Sequence, residues 1–176
     1  MRKIDVRLST TGINEAIREL ENYKQWLLTK TQEFLNALAE EGMKIAQFGF
    51  ENAVYDGTND VTCEVRPIDD HHVAVVAVGS ATLFIEFGTG VFYPDTHPES
   101  GKNGMVRGKY GYGLGKLRNG WRYTGDPGTN GEIILEGSHA GEVKTLGNPA
   151  NMSMYMAERD LEEKFEEIAR RVFVDG

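Results

Sequence analysis

Hydrophobic residues recur at three- and four-residue steps over the first third of the chain, which is typical of one face of an amphipathic helix. Thr10 or Thr11 lies just before this run and suits a helix start. The pattern predicts helix over residues 12–55 and allows a break near 22–24. The apolar positions are Ile13, Ile17, Leu20, Leu27, Phe34 or Leu35, Leu38, Ile45 and Phe48.

Short β-branched and aromatic runs replace the helical spacing between residues 61 and 87. Three runs, at 61–65, 72–79 and 83–87, are separated by turn-forming residues and predict an antiparallel meander packed on a helix. Two further short strands are predicted at 121–123 and 132–136.

Two side chains in the predicted meander bear on chemistry. Glu86 lies between Ile85 and Phe87, so in an alternating strand it faces away from both, toward solvent or a partner subunit. Cys63 is the one cysteine of the chain. It cannot form an intramolecular disulfide or hold zinc by itself, and we expect an ordinary buried thiol.

The last part of the chain predicts a second amphipathic helix over residues 149–173. Asn148 is a suitable N-cap, and Pro149 is favourable at the first helical position. Apolar residues then recur at three- and four-residue steps along one face. They are Met154, Ala157, Leu161, Phe165, Ile168 and Val172.

These elements predict an α+β fold for residues 1–176 as one domain, which suits the length of the chain. The long N-terminal helix and the C-terminal helix pack on a small, mainly antiparallel sheet. A long glycine-rich, basic insertion occupies residues 91–146. No apolar run approaches the 18–20 residues of a membrane span, and no secretory signal is recognisable. We therefore expect a water-soluble protein of a reducing compartment.

Charge is unevenly distributed along the chain. The net charge is −8, yet residues 100–125 carry six Lys or Arg and no Asp or Glu, which leaves −14 for the rest. Aromatic residues are interleaved with these charges. Lys and Arg neutralise phosphates and aromatic rings stack on bases, so the loop suits DNA; it equally suits an acidic neighbouring subunit. The basic residues are Lys102, Arg107, Lys109, Lys116, Arg118 and Arg122.

Signals for catalysis are weak. Asp95, His97 and Glu99 alternate and could gather around a divalent ion together with Glu86, although a solvated, proline-flanked turn explains them as well. We expect no catalytic residue, cofactor or metal site. The alternatives are a metal- or phosphate-handling enzyme that uses residues 95–99 and the basic loop, and a non-specific nucleic-acid-binding module.

Two segments resemble a known family. Residues 83–90 read LFIEFGTG and residues 147–152 read GNPANM. They are similar to segments of the tail-component family of tailed bacteriophages typified by the tenth gene product of phage HK97. The order of helix, meander, EFGT strand, loop, proline and final helix is also similar. The resemblance covers residues 13–90 and 147–172, most closely at EFGT. The insertion at 91–146 departs from the family, so the resemblance implies nothing about the basic loop.

The resemblance implies a structural protein of the virion neck, which joins head to tail or completes the tail by assembling into a homo-oligomeric ring without catalysis. The implied partners are other copies of the chain, the head–tail adaptor or connector, and tail-tube or tail-terminator proteins. DNA passing through the lumen is a further candidate partner, and no membrane is involved. The implied location is the head–tail junction, after assembly in the cytoplasm of the host bacterium.

An apolar strand with a glycine-rich exit also suits pairing between subunits. We therefore expect the subunit interface to include the EFGT segment, and the six basic residues to face the DNA lumen or a neighbouring ring. The expected interface residues are Phe84, Ile85, Glu86, Phe87, Gly88, Thr89 and Gly90.

Overall fold

A computed structural model describes residues 8–92, 97–105 and 119–174 of the chain. It confirms the α+β class, with a long N-terminal helix, a C-terminal helix and small antiparallel sheets. The first helix, α1 (Thr10–Glu51), is unbroken over 42 residues, or about 63 Å at 1.5 Å per residue. The Ser9 side chain accepts a hydrogen bond from the Gly12 N–H at 3.1 Å and caps α1. The break near 22–24 is absent because no Gly or Pro interrupts residues 13–41.

The first two predicted strands are confirmed as an antiparallel hairpin that packs on α1. It consists of β1 (Thr62–Asp69) and β2 (His72–Val78). The register shifts between Pro67 and Asp69, and such a bulge accommodates a proline that cannot donate to the ladder.

The third predicted strand is wrong, because residues of the EFGT segment form a short helix, α2 (Thr82–Phe87). A strand would place Leu83, Ile85 and Phe87 on one face. Instead Leu83 is exposed while Ile85 and Phe87 are buried. The Ile85 N–H donates to the Ala81 carbonyl at 2.9 Å, and both side chains lie in the core. Short apolar runs of this kind suit either structure, and tertiary contacts decide between them.

A distant carboxylate orders the turn that precedes α2. Asp60 accepts hydrogen bonds from the Ser80 N–H at 2.8 Å, the Ala81 N–H at 3.0 Å and the Ser80 hydroxyl at 2.8 Å. These donors favour the charged carboxylate and lower the pKa of Asp60 to about 2.

We expect Asp60→Asn to destabilise the fold in a pH-dependent way. The folded pKa is lower than the ordinary value of 3.8, so the stabilisation is fully present above about pH 4 and is lost as the pH falls toward 2. The difference in unfolding free energy between wild type and variant should shrink over that window in urea titrations. Asp70→Asn, in the exposed β1–β2 turn, is the control. A difference that is equal at pH 2 and pH 7 would contradict this assignment.

A second small sheet lies within the insertion. Its strands are β3 (Trp121–Tyr123), β4 (Glu132–Ile133) and β5 (Val143–Thr145), with β5 in the centre and both pairs antiparallel. The strand at 121–123 is confirmed, and the one predicted at 132–136 is shorter than expected. Sequence reasoning missed β5, whose three residues are too few to show alternation.

The C-terminal helix, α3 (Ser153–Phe173), begins four residues later than predicted. Asn148 is therefore not its N-cap; it is fully buried ahead of the helix. α3 packs along the second half of α1 and runs antiparallel to it. Its ring contacts are Phe165 with Phe34 at 5.2 Å and Phe173 with Trp26 at 6.4 Å between centroids. Of the predicted apolar face, Ala157, Ile168 and Val172 are buried, whereas Phe165 is half exposed.

The core forms where the end of α1 meets the start of β1 and α2. Phe50 is 0% exposed at its centre, whereas the predicted core residue Phe48 is 69% exposed. The two side chains point to opposite sides of the helix, because two residues correspond to about 200° of rotation. The core residues are Phe50, Ala53, Val61, Ala81 and Ile85.

Candidate functional site

Glu86 is buried at the N-terminus of α3, so its predicted position toward solvent or a partner is wrong. It is 5% exposed. Its carboxylate accepts hydrogen bonds from the Met154 N–H at 2.9 Å and the Tyr155 N–H at 3.1 Å. The first N–H groups of a helix have no partner within the helix and favour negative charge nearby. Glu86 therefore caps α3 from a different element.

His97 completes this buried group. Its Nε2 lies 3.1 Å from Glu86 Oε1, and its Nδ1 accepts the Glu99 N–H at 3.1 Å. Because Nδ1 is an acceptor, Nε2 carries the hydrogen and its N–H donates a hydrogen bond to the Glu86 carboxylate. The imidazole lies beside the rings of Phe87 and Tyr155, at centroid distances of 4.4 Å and 5.6 Å. Both ring nitrogens are engaged, so the pair anchors the 97–105 segment to α2 and α3.

The acidic and histidine residues considered as metal ligands do not form a metal site among the described residues. His97 does contact Glu86, as the hypothesis required, but Glu99 pairs with Lys102. Asp95 lies outside the described residues. No group of three or more His, Cys, Asp or Glu suited to a metal ion occurs in residues 8–92, 97–105 and 119–174. The Cys63 thiol is half-buried, and burial, followed by the charges of Glu86 and Glu51, raises its pKa.

The two segments that carry the family resemblance pack against each other. The Thr89 N–H donates to the Asn148 carbonyl at 2.8 Å, and the Asn148 N–H donates to the Thr89 hydroxyl at 3.0 Å. The Asn148 side-chain amide also donates to the Phe84 carbonyl at 3.1 Å. Gly88 has φ of +79°, and a Cβ there would lie 2.8 Å from the Ala150 nitrogen. The EFGT and GNPANM segments thus form an internal junction.

This junction changes what the predicted subunit interface can contain. Ile85, Glu86, Phe87 and Gly88 are buried within the chain's own fold. Because residues 82–87 form a helix, the segment offers no strand edge there. Phe84 is half exposed, and Thr89 and Gly90 are partly exposed. Contact of these three residues with a partner stays a prediction.

Two of the six predicted partner-facing basic residues are described, and both pair with acids of the same chain. Lys102 forms an ion pair with Glu99, and Arg122 Nε lies 3.3 Å from Glu142 Oε2. The other four predicted partner-facing residues lie outside the described residues. They are Arg107, Lys109, Lys116 and Arg118.

An uncovered apolar surface lies on the first half of α1. No residue from Leu8 to Thr29 is buried. One helix face, here called the α1 stripe, consists of Ile13, Ile17, Leu20, Lys24 and Leu27. Its four aliphatic side chains are 42–54% exposed. The sequence predicted these residues as a packed face, and within the described chain nothing covers them, because α3 ends beside Trp26.

A second apolar surface is an open groove where α3 passes over α1 and β2. It has a volume of about 340 Å³ and is here called the α3 groove. Glu158 and Glu162 contribute the charges at the groove. The apolar lining consists of Leu38, Gly42, Val75, Met154, Ala157, Leu161 and Phe165. An uncovered helix face and an open groove on one small chain are typical of a protein that binds other chains.

Comparison of the chain with protein-family models, with curated proteins and with solved structures finds no match. Within the described residues, none of the helices combines the length and the apolar character that crossing a bilayer requires.

Proposed function

We propose that this chain is a structural protein of a tailed-phage virion, which joins head to tail or completes the tail by assembling into a homo-oligomeric ring. The observation that carries the proposal is the α1 stripe. An amphipathic helix forms stably in water mainly by packing its apolar face, and within the described chain no residue is buried in the first half of this 42-residue helix, from Thr10 to Thr29. Self-association supplies the missing partner.

Two further features support this proposal. The buried Glu86–His97 pair has its hydrogen-bonding atoms engaged by the chain itself, which suits a structural role. The segments that resemble the phage tail-component family form the junction between α2 and α3. The proposed partners are the head–tail adaptor and the tail-tube or tail-terminator proteins at the head–tail junction.

Sedimentation and negative-stain imaging test the proposed assembly. We expect rings from the purified full chain, either alone or after mixing with the adaptor or tail-tube protein encoded beside it. Portal, capsid and tail-tube genes in the same neighbourhood would support the virion class independently of assembly. A chain that stays monomeric at high concentration and forms no ring in either mixture would contradict the proposal.

A further inference from the structure

The α1 stripe cannot reach the α3 groove of its own chain. α1 is one continuous helix, and the stripe at residues 13–27 precedes the groove residues Leu38 and Gly42 on the same helix. The two surfaces are therefore separated along a rigid element. If the α1 stripe fills the α3 groove, the stripe must belong to another copy of the chain.

The two surfaces match in chemistry, and the stripe is slightly longer than the groove. The stripe from Ile13 to Leu27 spans fourteen residue steps of helix, about 21 Å, and the groove wall from Met154 to Phe165 spans eleven steps, about 17 Å. The stripe presents branched aliphatic side chains, and the groove is lined mainly by apolar side chains. Seating one in the other removes both apolar surfaces from water.

The charges favour a contact between a stripe and a groove over a contact between two stripes or between two grooves. Lys24 is the charged member of the stripe, and Glu158 and Glu162 are the charged residues of the groove lining. Stripe against groove brings Lys24 toward Glu158 and toward Glu162, which also pairs with Arg159 of its own helix at 2.7 Å. The stripe contains no acidic residue, so two stripes in either orientation offer Lys24 no opposite charge, and two facing grooves would bring acid against acid. Such charge complementarity selects the arrangement of partners.

We propose that copies of this chain join head to tail, with the α1 stripe of one copy seated in the α3 groove of the next. The contact uses two different surfaces, so a chain of copies always has one free stripe at one end and one free groove at the other. Such an assembly either closes into a ring or continues to grow as a filament. This proposal rests on the proposed assembly function and specifies its geometry.

A complementation experiment tests the contact. The stripe variant combines Ile17→Asp with Leu20→Asp and retains an intact groove. The groove variant is Phe165→Asp and retains an intact stripe. Each should sediment as a monomer alone, whereas an equal mixture should form heterodimers that cannot extend. A mixture that stays monomeric while both variants retain wild-type circular dichroism would overturn the head-to-tail contact.

A matched control and a charge swap make the test independent of folding defects. Asn22→Asp with Thr29→Asp adds the same charge on the opposite face of α1 and should assemble like the wild type. Lys24→Glu should weaken self-association by about tenfold or more, the scale of a lost charged contact. Adding Glu158→Lys and Glu162→Lys to that variant should restore it. A triple variant that stays as weak as Lys24→Glu would contradict the proposed pairing.

The outcomes separate this contact from the proposed function. Rings that form equally well from the stripe variant would overturn the contact and leave the ring function standing. A verified head-to-tail contact in an assembly that binds neither adaptor nor tail-tube protein would leave the contact standing and count against the neck function. A wild-type chain that is monomeric at every concentration would overturn the contact.

Discussion

Replacing Glu86 with alanine should lower the free energy of unfolding by about 3 kcal/mol, because a buried donor left without its acceptor costs about 1–3 kcal/mol and three donors point at this carboxylate. The change leaves the Met154 and Tyr155 N–H groups and the His97 Nε2 without their acceptor, next to a histidine that is itself buried. Urea denaturation followed by circular dichroism measures this loss.

Conservative variants distinguish the cap from simple packing. Glu86→Gln keeps one oxygen acceptor, but its NH₂ group faces groups that already donate to Glu86. We therefore expect the free energy of unfolding to fall by about 1–3 kcal/mol. Because Glu86 and His97 share a hydrogen bond, the double variant with His97→Ala should cost less than the sum of the single changes. Glu86→Ala within about 0.5 kcal/mol of the wild type would show that the buried pair does not stabilise the fold.

Phe50→Ala should destabilise the fold by about 3–5 kcal/mol, as expected for emptying a fully buried aromatic site. Phe50 is completely buried where α1, β1 and α2 meet, so its ring cannot be replaced by solvent without opening the core. Thermal and urea denaturation monitored by circular dichroism would measure the loss.

Phe48→Ala is the matched control, since it removes the same ring two residues away on an exposed face of the same helix. We expect a change within about 0.5 kcal/mol, as for surface positions generally. Equal losses for Phe48 and Phe50 would contradict the burial described here. A Phe48→Ala variant that is more stable than the wild type would be consistent with this burial, because removing an exposed ring also changes the unfolded state.

The sequence was sufficient for elements whose pattern is long. α1 and α3 repeat their apolar positions over several turns, so their existence was predictable. The buried face of α1 was less so, because Phe48 of the predicted face is exposed and Phe50 forms the core instead. The ends of both helices were also less predictable. Asn148 is a residue type that commonly caps helices, but its side-chain amide donates a hydrogen bond to the Phe84 carbonyl. This bond joins residues far apart in the chain.

The candidate site was only partly predictable for the same reason. Glu86 and His97 were both noticed, and their proximity was considered for metal binding. Their actual roles depend on the Met154 and Tyr155 N–H groups, which become available only because α3 begins at Ser153. The α3 groove could not be predicted at all, because its walls come from α1, β2 and α3. The sequence pattern does not show how these three elements pack against each other.

The sequence by itself determined the α+β composition and the presence of two amphipathic helices, because helical periodicity is a local property that repeats over several turns. Tertiary structure alone decided that LFIEF is helical, that Glu86 is buried and that half of α1 stays uncovered. Those outcomes depend on Asp60 holding the turn before α2, on the start of α3, and on where α3 ends beside Trp26. Each is a contact between residues distant in sequence, and local pattern carries no information about which distant partner will be present.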